Sequence, residues 1–250
     1  MKEINNKSIE LIPPLFLCDN VLKDIPAPFP NKSFFMIIIG KPGSGKSSLL
    51  VNLLTRKKKG ERKTIYRKKF HFIYLFCPPS SLKSLKKNPF ECLPDEQVYD
   101  EFNEETLDEV IGELETNAIE NENSIVIIDD LSSSLKEGNR EFQKDFLRLV
   151  FNRRHLRVSI LLLSQRLFCI PKSVRSVASH IILFPPGNKS EKEIVHKEFI
   201  PIPYSSFKKL SNFVWKTKHD TLFHEINSKD FYRNFNKINL SDEEQNEFFD

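Results

Sequence analysis

Six consecutive apolar residues, Phe34-Phe-Met-Ile-Ile-Ile39, run directly into Gly40-Lys-Pro-Gly-Ser-Gly-Lys-Ser47. A leucine-rich stretch follows at once and predicts a helix over 46–56, with Leu49, Leu50, Leu53 and Leu54 on one side. An unbroken apolar run ending in glycine is the pattern of a strand buried on both faces, which belongs in a parallel sheet covered by helices. The loop between strand and helix matches G-x-x-x-x-G-K-[S/T] in the setting its mechanism requires. Glycines let such a loop curl so that successive N–H groups point inward at phosphate oxygens, and the helix N-terminus adds partial positive charge. Read this way, Gly40, Lys41, Pro42, Gly43, Ser44, Gly45, Lys46, Ser47 and Ser48 line an ATP site. Lys46 reaches the β- and γ-phosphates, and the Ser47 hydroxyl ligates Mg²⁺. The competing reading is a glycine-rich turn that binds nothing.

Further strands are expected at 70–76, 124–129, 158–163 and 180–184, and helices at 104–120, 139–152 and 190–199. Strands alternating with helices place the chain in the α/β class, with a mostly parallel sheet covered on both sides. Five prolines make 1–33 an extended lead-in. Phe213-Val-Trp215 and Thr221-Leu-Phe-His224 are expected to pair as a hairpin through Lys218-His-Asp220, and the acidic residues 241–250 to fray. With no repeat and no composition break, 1–250 reads as a single domain: a core over 34–185, then C-terminal helices and hairpin over 186–240.

Two more strands end in polar groups. Asp129, at the carboxyl end of Ile125-Val-Ile-Ile128, is placed to hold Mg²⁺ through water. Asp130 beside it is the candidate base that polarises the attacking water; the alternative is an Asp that caps the next turn. Gln165 ends Leu161-Leu-Leu-Ser164 and can orient that water and sense the γ-phosphate if its strand lies beside the phosphate loop; otherwise it simply faces the loop. Arg153 and Arg154 lie where an arginine could project across a subunit boundary, with Arg166 and Arg175 as competitors.

The net charge of +4 conceals segregation. Residues 51–90 carry 12 basic and 1 acidic side chain, and 91–123 carry 13 acidic and no basic ones. Within the basic block, 56–69 holds nine cations and can neutralise phosphates without reading bases; a solvated insertion is the alternative. The loop 131–138, with its hydroxyls and Lys136, is a second candidate for DNA. The acidic block would stay clear of such a polyanion or meet a basic partner.

The longest apolar stretches fall far short of the ~18 residues a membrane span needs, and no secretory signal is readable. Cys18, Cys77, Cys92 and Cys169 are too scattered for a zinc or redox motif and are expected to be small buried thiols. His219 and His224 suit neither one helical face nor one strand face, so no metal site is expected there. Asn236-Lys-Ile-Asn239 lacks the final Asp of a guanine-reading motif, and no Leu-Ser-Gly-Gly-Gln signature exists. Too little chain follows residue 185 for a nuclease domain.

Gly40–Ser47, Ile127-Ile-Asp-Asp130 and Arg154-His-Leu-Arg-Val-Ser-Ile-Leu-Leu-Leu-Ser-Gln165 together closely resemble the FtsK–HerA superfamily of P-loop ATPases. With Ile170-Pro-Lys-Ser-Val-Arg175 and Ser179-His-Ile-Ile-Leu-Phe184, the chain is similar over about 28–185 to the genome-packaging ATPases of large cytoplasmic DNA viruses and virophages, the poxvirus packaging type. The resemblance implies a RecA-like fold with an extra strand between the Walker A and Walker B strands, which would put Gln165 beside the phosphate loop. It implies a homo-oligomeric ring, a pentamer or hexamer, with double-stranded DNA in its pore, and a capsid or portal-vertex partner. It implies hydrolysis at subunit interfaces, with Arg154 as the arginine acting in trans. The host cytoplasm, at the viral factory, and the virion are the implied locations. A cellular or plasmid translocase of the same superfamily, or a nucleotide-binding switch or scaffold with little turnover, are the alternatives.

Overall fold

The computed structural model describes residues 21–55, 65–83, 88–226, 228 and 230–240. Its first strand, β1 (Phe35–Ile39), is buried at every position because both of its faces meet apolar layers. Phe35, Ile37 and Ile39 point into one core, while Phe34, Met36 and Ile38 point into the other. Alternation of side chains along a strand turns an unbroken apolar run into two cores.

After α1 (Lys46–Thr55) come β2 (Phe72–Phe76), α2 (Pro79–Lys83), β3 (Val98–Tyr99), α3 (Glu104–Ile119) and β4 (Ser124–Asp129). Then follow α4 (Ser134–Glu137), α5 (Arg140–Asn152), β5 (Val158–Ser164), α6 (Lys172–Arg175), β6 (His180–Leu183) and α7 (Lys189–Phe199). The described chain closes with α8 (Tyr204–Val214), β7 (Leu222–Glu225), β8 (Phe231–Arg233) and β9 (Asn236–Ile238). All nine strands join one sheet in the order β3-β2-β4-β5-β1-β6-β7-β8-β9. Pairing is parallel from β3 through β6 and antiparallel from β6 to β9. β5 therefore lies between β1 and β4, the two strands that lead to the phosphate loop and to Asp129. This is the mostly parallel α/β sheet, with the inserted strand, that the sequence led us to expect.

Helices α3, α5, α7 and α8 cover one face through Leu107, Val110, Phe146, Leu149, Val195, Phe207 and Leu210. α1 covers the other through Leu50, Leu53 and Leu54, joined by Phe29, Tyr66 and Phe90. Three helices start at an asparagine: Asn103, Asn139 and Asn188 each accept a backbone N–H of the first turn. The acids of α3, including Glu105, Asp108, Glu109 and Glu113, face solvent.

Three expectations need correction. Phe213 and Val214 end a helix instead of pairing with residues 221–224, because Phe207, Leu210 and Val214 recur at helical spacing and bury together. β7 pairs instead with β6 (Leu183 opposite Leu222) and β8 (Leu222 opposite Arg233), and Trp215 donates its indole N–H to the Leu183 carbonyl at 3.1 Å. The lead-in is not simply extended: Val21 bridges Lys32, and Leu22 and Phe29 fold back into the core. Its residues 1–20, like the tail 241–250, lie outside the described residues. The thiols are not uniformly buried: Cys77 is, Cys169 is partly exposed and Cys92 is exposed, while Cys18 lies outside the described residues. Burial and the nearby Asp129 push the Cys77 thiol up to about 12, so it stays protonated. No helix among the described residues is long and apolar enough to cross a membrane.

Candidate functional site

β1, β4 and β5 end side by side, and their ends carry the polar groups picked out from the sequence. Ile39 is opposite Ser164, and Gly40 N–H extends the ladder by donating to the Ser164 carbonyl at 3.1 Å. A Cβ on Gly40 would run into Ser44 Oγ and meet Phe184 at 2.8 Å, so no side chain fits there. Gly43 and Gly45 take φ of +72° and +110°, the left-handed region that favours glycine. Ser48, in the first turn of α1, is exposed, as are Lys41 and Pro42.

Lys46 is buried, 6% exposed, and folds back so that its ammonium donates to the Gly40 carbonyl at 2.7 Å. Burial lowers its pKa, and the charges of Asp130 and Asp129 oppose that shift. Ser47 donates its hydroxyl to Asp129 Oδ2 at 3.3 Å, a weak contact between groups 82 positions apart. Asp129 is 5% exposed, and its carboxyl is raised to about 6, first by burial and then by Asp130, against the pull of Lys46 and Ser47. Asp129 Oδ1, Asp130 Oδ1 and Ser44 Oγ are buried with no hydrogen-bond partner among the described residues. A buried carboxylate oxygen without a partner is costly unless something else binds there. The Ser47 hydroxyl and the Asp129 carboxylate form the hard oxygen pair that Mg²⁺ accepts when phosphates and waters supply the rest, so the residues fit that ion. Among the described residues no group of three or more His, Cys, Asp or Glu could hold a metal by itself.

Asp130 follows directly in the left-handed region, φ +58°, at the turn that leaves β4. The short helix after it, α4, has no side-chain cap. Gln165 is exposed and shares a cavity of 430 Å³ with Lys41, Pro42, Arg166, Phe168, Gly187, Asn188 and Glu191. It thus stands beside the phosphate loop, as the inserted strand requires.

The arginine candidates separate clearly. Arg175 is excluded: it is buried, ion-pairs Glu198 at 2.7 Å, and donates to the carbonyls of Ile170 at 2.6 Å and Leu167 at 3.3 Å. Arg153 is half-buried, its pKa lowered first by burial and then by Arg154, and donates to the Val150 carbonyl at 2.8 Å. Arg154 is exposed in the turn after α5, and Arg166 is exposed in the cavity beside Gln165.

Of the two DNA candidates, residues 56–64 lie outside the described residues. In the remainder, Lys69 donates its ammonium to the Lys23 carbonyl at 2.7 Å. The 131–138 loop is less available than expected, because Ser132 is 3% exposed and its hydroxyl is committed to Ser164 Oγ.

Sequence reasoning missed residues that shape the site, Ser132 and Glu191 among them. Ser132 joins the loop after Asp130 to the end of β5. Glu191, 6% exposed on α7, accepts from Leu167 N–H at 3.1 Å and Gly187 N–H at 2.6 Å, and so holds the segment that follows Gln165. Arg175 grips the carbonyl of that same Leu167. Glu191 lies on the helix expected at 190–199, and nothing local marks its carboxylate as the one turned inward.

The profile of the family described as Poxvirus A32 protein matches residues 27–199. The chain belongs to that family. The matched span holds the phosphate loop, Asp129, Asp130, Gln165 and Glu191, while α8 and β7–β9 lie beyond it. No curated protein sequence matches the chain significantly. Among solved structures, the DNA-packaging ATPase B204 from Sulfolobus turreted icosahedral virus is similar, with a TM-score of 0.58 and 17% identity over 80% of this chain and 96% of that one. The genome packaging NTPase B204 from Sulfolobus turreted icosahedral virus 2, in complex with ATP-gammaS, gives 0.55 and 14% identity over 80% and 96%. EssC (ATPases 2 and 3) from Geobacillus thermodenitrificans gives 0.51 and 15% identity over 84% of this chain and 41% of that one. The fold of this Poxvirus A32 family member is that of P-loop ATPases of the FtsK–HerA kind.

Proposed function

We propose that the protein is a Mg²⁺-ATP-driven translocase that loads double-stranded DNA into a viral capsid, working as a homo-oligomeric ring. The observation that carries this reading is the convergence of Lys46 and Ser47, which follow β1, with Asp129 at the end of β4 and Gln165 after β5 between them, with buried carboxylate oxygens that have no partner among the described residues. Family membership and the fold shared with viral packaging ATPases support the packaging role.

Binding starts with the phosphate loop. Its N–H groups receive the phosphates, and Lys46 exchanges the Gly40 carbonyl for phosphate oxygens. Ser47 and Asp129 would hold Mg²⁺, which when bound would neutralise phosphate charge. Asp130 Oδ1 takes a proton from the attacking water, and Gln165 orients that water from the neighbouring strand. Arg154 of an adjacent subunit adds positive charge as the transition state forms. DNA is held by non-specific phosphate contacts from the 56–69 segment and Lys136, so any sequence can be moved. The acids of α3 face solvent and offer a surface to a basic capsid or portal-vertex protein. The viral factory in the host cytoplasm is the place of action.

ATP-dependent displacement of a third strand from a linear DNA triplex tests this reading. Displacement by the wild type and none by Lys46→Ala is the expected result. A wild type that binds ATP but never displaces the strand would favour a nucleotide switch.

A further inference from the structure

A loop from beyond the family-matched span reaches the phosphate loop. His219, between α8 and β7, places Nδ1 2.8 Å from the carbonyl oxygen of Ser44. A carbonyl oxygen only accepts, so Nδ1 carries the hydrogen and donates it. The contact falls between the two left-handed glycines, Gly43 and Gly45. A Cβ on Gly45 would lie 3.6 Å from His219 Nδ1 and 3.8 Å from Phe184, so these two rings back the loop at that point. In a trans peptide the C=O and the next N–H point in opposite directions. Holding the Ser44 oxygen on the side of His219 therefore turns the Gly45 N–H to the opposite side.

His219 is itself held by a fixed frame. Its neighbour Asp220, 6% exposed, accepts from the backbone N–H of Thr217 at 2.7 Å and Lys216 at 3.1 Å, and from the Asn234 amide at 2.8 Å. The Arg233 guanidinium stands 3.4 Å from both Asp220 oxygens. Asn234 in turn accepts from Thr221 N–H at 2.8 Å. On the other side of the loop, Trp215 is tied to Leu183 at the end of β6. The antiparallel extension thus presents one imidazole to the phosphate loop from a loop braced at both ends.

We infer that His219 is a positioning residue of the nucleotide site, aiming the Gly45 N–H at a phosphate oxygen by holding the Ser44 carbonyl. This rests on reading residues 40–48 as an ATP site. Its consequence is that phosphate-loop geometry, and with it nucleotide affinity, depends on residues 215–221 and 233–234, which the nucleotide motifs do not include. The effect falls on ground-state binding, since the Gly45 N–H serves substrate and transition state alike.

Calorimetric titration of the full chain with Mg²⁺-ATPγS tests the inference. His219→Ala should weaken binding about three- to tenfold, the worth of one hydrogen bond. KM for ATP should rise by a similar factor, with kcat within about twofold of wild type. His219→Asn keeps an N–H donor near the Nδ1 position and should restore affinity; His219→Leu, of similar bulk, should not. Wild-type affinity in His219→Ala, or His219→Asn as weak as His219→Ala, would overturn it. A wild type that fails to bind Mg²⁺-ATPγS would instead remove the nucleotide site on which the inference rests.

Discussion

The Ser132 hydroxyl donates to the Ser164 hydroxyl at 2.7 Å, across 32 positions of sequence, and Ser164 passes the bond on to the Arg166 carbonyl at 2.9 Å. One short chain of hydroxyls thereby links the loop leaving Asp130 to the strand end bearing Gln165. The candidate base and the candidate water-orienting amide sit on either side of it.

Ser132→Ala removes this link while leaving the Ser164–Arg166 bond in place. Stability should fall by about 1 kcal/mol, the net value of one buried hydrogen bond. Turnover should fall more than stability implies, with KM for ATP unchanged, because the phosphate loop is untouched. Urea unfolding and steady-state kinetics on the same preparation check both.

Arg175 and Arg154 should behave as opposites. Arg175→Met leaves Glu198 without its cation and should cost about 2–3 kcal/mol. That is below the ~3–5 of a fully buried pair, because the Glu198 side chain keeps 21% exposure. Arg154→Ala, at an exposed position, should cost under about 1 kcal/mol and lose DNA-stimulated turnover by about 10³-fold. Mixing Arg154→Ala with Lys46→Ala subunits should recover activity, because each mutant supplies what the other lacks across an interface.

Burial holds the His180 pKa down at about 4, with His224 and Arg153 adding to the shift, so the folded chain keeps this ring neutral where the unfolded chain protonates it. The unfolded state then binds more protons between pH 6.5 and 4, and stability falls as pH drops through that window. The loss should reach about 3 kcal/mol at its acid end. His180→Phe keeps a ring against Phe223 and should flatten this slope, as urea unfolding at pH 5 and pH 7.5 would show.

Helix α8 predicts an asymmetry that a hairpin would not. Leu210→Ala should cost about 2–4 kcal/mol through the cavity it leaves. Phe213 is 51% exposed, with the cations of Lys216 and Arg233 over its ring, and Phe213→Ala should cost under about 1 kcal/mol. Thermal melts of the two variants compare them directly.

What the sequence shows plainly is what depends on neighbours along the chain. The runs at Phe34–Ile39, Ser124–Asp129 and Val158–Leu163 announce doubly buried strands, and the spacing of Gly40, Gly45, Lys46 and Ser47 announces the phosphate loop. Helix α8 was lost because Phe213-Val-Trp215 reads as a short strand unless joined to Phe207 and Leu210. The contacts that Ser132, Glu191 and His219 make were not legible. Each acts on a backbone or hydroxyl group 24 to 175 positions away, and only the order of strands in the sheet brings the pairs together.

The central claim is hydrolysis at Lys46 and Asp130 coupled to DNA, and the most direct test is ATP turnover with and without linear duplex DNA. Turnover by the wild type should rise when duplex is added, vanish in Lys46→Ala, and drop by about 10²-fold or more in Asp130→Asn, which should still bind nucleotide. Wild-type turnover indifferent to DNA, or undiminished turnover in either variant, would contradict the account.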